Sequence, residues 1–246
     1  MSSDTLETID AFAVNSPDEE GEMRALAQAL RLAEGFKLIF ARCNQPQQQK
    51  RVIVALRQQL ADLKIQEIRF DQPITHLLDA LHERLMQPPP QAIFVSGLEY
   101  SLPTAAEAQK TEFVANLNAS RNSFPQTIPC PLVLLVPEYV LTAIAQGAPD
   151  FFSIRSGLFF FAATPGETID TFRSLTADRA NLIADLPWQE KQARITAIQN
   201  LLADYEALPA NQRDLTAEMR LHQRLGIILA ELGLLDAARF HLQRAL

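Results

Sequence analysis

The residues best placed to do chemistry lie between Phe40 and Lys50. The run Phe36-Lys37-Leu38-Ile39-Phe40 has strand character, and helical periodicity begins near Gln47. In phosphate-binding α/β proteins the first strand enters a glycine-rich loop. The loop's N–H groups, the next helix N-terminus and one Lys hold the phosphates, and a Ser or Thr holds Mg²⁺. Laying that pattern on Lys50 puts Asn44 and Gln49 at the glycine positions and Arg51 at the metal-ligand position. Side chains at the glycine positions block close approach of the backbone, and a guanidinium cannot ligate Mg²⁺. Glycine is absent from Phe36 to Ser96. The third strand ends Val95-Ser96 with no carboxylate where a metal-holding Asp belongs. Glu99, a few residues on, reads as a surface acid in a loop rather than as an activator of water. Nucleotide hydrolysis by the usual route is not expected, and of this machinery only Lys50 keeps its place.

Other chemistry is sparse. His76 and His82 share one expected helix without a third ligand nearby, and His222 and His241 are scattered in the C-terminal segment. Cys43 and Cys130 have neither metal nor redox spacing and suggest no disulfide framework. No metal, no cofactor and a cytoplasmic location are expected. With 22 Lys+Arg against 29 Asp+Glu the formal charge is −7, and no basic cluster exceeds Lys50-Arg51, so nucleic acid is not an expected partner. No apolar run approaches the roughly 18–20 residues that cross a bilayer, so no membrane insertion is expected. Met1–Phe12 lacks the basic and apolar regions of a secretory signal.

Residues 1–22 carry Asp4, Glu7, Asp10, Asp18, Glu19, Glu20 and Glu22 and read as an acidic, flexible, solubilising segment. Beyond it, helices and strands alternate. Met23, Leu26, Leu30 and Leu32 mark a helix that Gly35 stops, followed by the Phe36–Phe40 strand. Next come a helix over Gln47–Leu63, a strand over Ile65–Phe70, a helix over Thr75–Met86 and the strand Ala92–Val95. A helix over Ala105–Asn122, a strand over Leu132–Val136, a helix over Glu138–Gln146 and a strand over Leu158–Phe161 complete the pattern. Strands that are mostly apolar throughout and alternate with helices predict a parallel sheet covered on both faces, over residues 23–163. Residues 164–246 read as all-helical: Ile169–Leu182, Trp188–Leu208, and the pair Thr216–Leu232 and Leu235–Leu246 joined at Gly233.

Four segments carry a family likeness. They are Ala33-Glu34-Gly35-Phe36, Val95-Ser96-Gly97-Leu98-Glu99, Leu117-Asn118-Ala119-Ser120-Arg121, and Ala148-Pro149-Asp150-Phe151-Phe152 running into Arg155-Ser156-Gly157. Together they resemble bacterial STAND-type P-loop NTPase domains in a Walker-degenerate form fused to tetratricopeptide repeats. The resemblance implies strand order 5-1-4-3-2. Strands one and four are then neighbours, and Cys43 and Cys130 lie at opposite ends of the sheet, out of disulfide reach. Asn118 and Arg121 share a helix face, and Arg155 is placed either to pair with Asp150 or to reach the cleft above the sheet edge. Lys50, Arg121 and Arg155 are the candidate anion ligands.

Leu225-Gly226, Gly233, Ala238 and Ala245 fall at tetratricopeptide spacings, with Leu229 and Leu242 at the aromatic positions. One such hairpin cannot bury both faces, so its outer face must pack on the preceding helices, a copy of itself or a partner. His222, Leu229 and Leu242 are the candidate partner-binding residues. The expected function is a non-enzymatic interaction or assembly protein on an inactive NTPase-like domain. The alternative is a regulator that senses a nucleotide or another anion without a standard loop.

Overall fold

Backbone pairing, not side-chain hydropathy, fixes where each strand begins and ends. In the computed structural model, which describes residues 19–102, 111–163, 188–206, 213 and 215–246, the strands are β1 (Leu38–Arg42), β2 (Ile65–Arg69), β3 (Ala92–Ser96), β4 (Leu132–Val136) and β5 (Arg155–Phe160). All pair in parallel in the order β2-β3-β4-β1-β5, the expected order read from its other edge. β1 starts two residues later than its apolar run, leaving Phe36 to pack against Phe124 outside the ladder. β5 starts three residues earlier, because Arg155, on an edge strand, pairs opposite Leu38 through backbone alone.

Every residue of β3 and β4 is buried, as strands covered on both faces must be. Alternate residues feed two cores. Ile39, Ala41, Phe94, Val133 and Leu135 meet Leu26 and Leu30 of α1 (Glu19–Arg31) and Val52 and Leu56 of α2 (Pro46–Gln59). Leu38, Phe40, Ile93, Val95, Leu132 and Leu134 face the other way. They pack on α3 (Leu77–Arg84), α4 (Glu112–Ser120), α5 (Phe124–Thr127), α6 (Glu138–Gly147) and α7 (Pro149–Ser153).

The acidic segment ends earlier than expected. Glu19, Glu20 and Glu22 form the first turn of α1, where carboxylates favour the positive end of the helix dipole. Glu19 pairs with Arg51, and the Glu22 carboxylate accepts the Phe160 amide at 3.2 Å. Residues before Glu19, the Ala105–Lys110 start of the fourth expected helix and the expected helix over Ile169–Leu182 lie outside the described residues.

The chain divides into two compact units at Ala162/Ala163. The described part of the second unit is α8 (Trp188–Glu206), α9 (Leu215–Glu231) and α10 (Leu235–Arg244). Ile195, Ile198, Leu201, Leu202 and Tyr205 of α8 pack with Leu221, Leu225, Ile228 and Leu229 of α9 and with Ala238 of α10. Gly233, at φ 76°, supplies the left-handed turn between α9 and α10. A Cβ on Gly226 would stand 2.6 Å from Leu242 Cγ, so the last two helices touch where α9 has no side chain. Among the described residues no helix is long and apolar enough to cross a membrane.

Candidate functional site

Open parallel sheets place ligands at the carboxyl ends of their strands, where connections diverge. Here that place lies above β1, β4 and β3, and its polar groups are largely spent on one another. The Cys43 amide donates to the Val136 carbonyl at 2.9 Å, and Asn44 Oδ1 accepts the Glu138 amide at 2.9 Å. The Gln45 amide donates to Gln48 Oε1 at 3.3 Å, the Gln48 amide is capped by the Gln45 side chain, and Pro46 has no N–H to offer. Gln48 Nε2 donates to the Phe161 carbonyl at 2.7 Å, and Gln49 Nε2 reaches back to the Cys43 carbonyl at 3.4 Å. Asn44, Gln45, Gln48 and Gln49 are all buried. A phosphate-binding loop turns its amides toward the anion; here the Cys43, Gln45, Gln48 and Gln49 amides are all paired within the protein.

Arg42, the last residue of β1, forms an ion pair with Glu138 at the start of α6. Its guanidinium also lies over the Phe160 ring, 5.3 Å from the centroid. Lys50 is exposed on α2, and Arg51 is engaged by Glu19 and by the Ala162 carbonyl at 3.2 Å.

Glu99 is not the surface acid that its loop position suggests. Gly97, at φ 86°, bends the chain back after β3, and the short helical turn Leu98–Ser101 folds the Glu99 carboxyl inward. Burial raises its pKa, against the opposing pull of backbone amides at Glu99 and Gly97 and of Arg69. Glu99 Oε2 and Arg42 Nε are buried without a hydrogen-bond partner among the described residues. A desolvated carboxyl favours its neutral form, which suits packing better than holding a cation. Among the described residues no group of three His, Cys, Asp or Glu is placed to hold a metal.

The other two candidate anion ligands sit at the opposite end of the sheet. Arg155 pairs with Leu38, the first residue of β1, whereas Lys50 follows the last. Arg155 donates to the Phe152 carbonyl at 3.0 Å, and its guanidinium lies 4.0 Å from the Phe152 ring centroid. Asp150 pairs with Arg121, not Arg155. Lys50, Arg121 and Arg155 therefore do not converge, because the β1–α2 connection rises from the carboxyl end and α7 lies beneath the amino end.

The network at the amino end fixes helix to loop. Asn118 Oδ1 accepts the Asp150 and Phe151 amides at 2.9 and 3.1 Å, and its Nδ2 donates to Asp150 Oδ2 at 3.4 Å. Asn118→Ala is expected to orphan both amides at the start of α7 and cost about 1–2 kcal/mol. Urea midpoints read by hydrogen exchange at Phe151 check this.

In the helical unit, His222 and Leu229 are 2% and 4% exposed and belong to its interior, so neither can meet a partner. They point inward because α9 is the middle helix, with neighbours on two sides. Leu242 is 38% exposed, with one side on Gly226. Leu235 and Leu246, which sequence reasoning did not single out, are far more open, at 68% and 101%. Spacing was the available signal for one of them: Leu235 and Leu242 are seven residues apart, two turns of α10 and so on one side of it, whereas Leu246 lies beyond the end of α10.

No family model matches the chain, and a search of curated proteins finds no match.

Proposed function

We propose that this chain is a non-enzymatic interaction or assembly protein acting in the cytoplasm. In this reading the sheet unit is a STAND-like P-loop NTPase scaffold that no longer grips a triphosphate, and α9–α10 is a tetratricopeptide-like hairpin that docks an amphipathic helix of another protein. The observation that carries the reading is the row Leu235 and Leu242 on α10, 68% and 38% exposed. Arg239 lies within the row, four residues after Leu235 and three before Leu242, so the complementary helix presents leucine-sized side chains flanked by acid. The self-paired amides of the β1–α2 loop support the loss of nucleotide binding.

The test uses the full chain and a Leu235→Glu/Leu242→Glu variant as paired baits in extract of its own cells. At least one protein retained by the wild type should fall about tenfold with the variant, as buried leucine contacts require, while exchange protection in α8 and α9 stays unchanged. Equal recovery of the same proteins by both baits overturns the docking face. Wild-type self-association that the variant abolishes would instead put a second copy there. Micromolar binding of Mg-ATP or ADP in calorimetry overturns the reading of the loop.

A further inference from the structure

His222 of α9 and His241 of α10 meet with their Nδ1 atoms 2.9 Å apart. The ring planes differ by 26° and the centroids lie 5.2 Å apart. The centroid separation exceeds the nitrogen separation by about one ring diameter, so the imidazoles meet edge to edge and head-on. That geometry suits one N–H···N hydrogen bond. A metal between opposed nitrogens needs a wider gap, since each metal–nitrogen bond is about 2.0–2.1 Å.

A head-on pair holds one proton between its two nitrogens, and the surroundings decide which ring owns it. His222 Nε2 is buried without a hydrogen-bond partner among the described residues. A buried orphan N–H is rarer than an under-used acceptor, so His222 carries its hydrogen on Nδ1 and donates it to His241 Nδ1. His241, only part-buried, then carries its hydrogen on Nε2. Both rings are neutral in this arrangement. A proton added to His241 Nδ1 sets two N–H groups against each other unless His222 moves its own hydrogen to the buried Nε2, where nothing receives it. Either outcome weakens the link between the helices.

We propose that the His222–His241 pair is an acid-sensitive latch that holds α10 against α9 while neutral and releases it on proton uptake. Release would uncover Gly226, which Leu242 and the Ala238 carbonyl cover while α10 is seated. The surrounding charges come from all three helices: Arg244 of α10 opposes protonation, while Glu218 of α9 and Glu206 at the end of α8 favour it. Burial comes first for both rings and lowers both; with His222 and Arg244 beside it, His241 falls from its ordinary 6.5 to about 4. The folded pair thus binds fewer protons than the unfolded chain between these limits. Its contribution to stability is complete above about pH 6.5 and is lost as pH falls from about 6.5 to about 4.

Amide hydrogen exchange on the full chain tests the latch, with Phe94 of β3 as internal reference. Between pH 7 and pH 4.5, after correction for intrinsic rates, protection at Ala238 and Leu242 should fall roughly tenfold to fiftyfold while Phe94 holds. His241→Gln keeps an acceptor for His222 but removes the titration at position 241, and should shrink the loss at least about threefold, the remainder coming from the burial of His222. Equal α10 protection at both pH values in the wild type, or an undiminished loss in His241→Gln, overturns the proposal. Imidazole ¹⁵N spectra of the wild type add a readout independent of any variant. They should show His222 protonated on Nδ1 and His241 on Nε2 at pH 7; hydrogens on Nε2 of both rings, or His241 titrating at its ordinary value, overturn it equally.

Discussion

Gly97→Ala should destabilise the sheet unit by about 3–5 kcal/mol, the sum of a left-handed backbone penalty and a severe overlap. At φ 86° an added Cβ would stand 1.9 Å from the Phe70 carbonyl oxygen and 2.8 Å from its carbon. Both atoms are backbone, and neither can swing aside as a side chain would. The Phe70 amide donates to the Ser96 carbonyl at 3.0 Å, so opening space for the methyl breaks the continuation of the β2–β3 ladder. Urea-dependent exchange at Phe94 and Leu134, both central in the sheet, measures the loss. Gly35→Ala is the control: its φ is 66°, nothing lies within 4 Å of the new Cβ, and only the backbone penalty of about 1–2 kcal/mol applies. Equal losses in the two variants would mean that the Phe70 contact yields readily.

Phe151→Ala should cost about 3–5 kcal/mol, in the range of a fully buried aromatic cut back to methyl. Phe151 is fully buried and stands edge-on to Phe40 at 6.5 Å between centroids and tilted against Phe124 at 4.9 Å. Phe152 closes on Phe40 at 5.4 Å. The short helix α7 thereby pins the amino end of β5 to β1 from the α4 side, and Asn118 fixes its first turn. Phe151→Leu keeps most of the volume and should lose less than about 1.5 kcal/mol. The same exchange measurement at Ile39 and Leu134 distinguishes the two variants. Intact protection in Phe151→Ala would show that the aromatic cluster is not what anchors β5.

The sheet was legible because parallel strands buried on both faces leave short apolar runs, and helices leave a longer period between them. Strand ends were less so: β5 begins with Arg155-Ser156-Gly157, polar residues that pair by backbone at an edge. The self-paired β1–α2 loop was also legible in outline, since Asn44 and Gln49 stand where glycines would be needed. How the loop closes was not, because Gln49 reaching back to Cys43 depends on a side-chain direction that spacing does not encode. Glu99 was misread for the same reason: the backbone at Gly97, set by contact with Phe70, turns the carboxyl inward. Lys50 came from the phosphate-loop pattern and Arg121 and Arg155 from the segments of the resemblance, and the topology assigns them to opposite ends. The histidines show the limit most clearly. Nineteen residues separate His222 from His241, and only the close approach of α9 and α10 over Gly226 makes them a pair.

Cys43 follows the carboxyl end of β1, Cys130 precedes the amino end of β4, and both are buried. Because β1 and β4 run side by side in parallel, the two thiols report on opposite rims of one sheet. Burial pushes the Cys130 thiol up to about 11, which leaves little thiolate to react at neutral pH. Alkylation at each sulfur therefore times the breathing of its own rim, and the native molecule carries a two-ended clock without any engineered label.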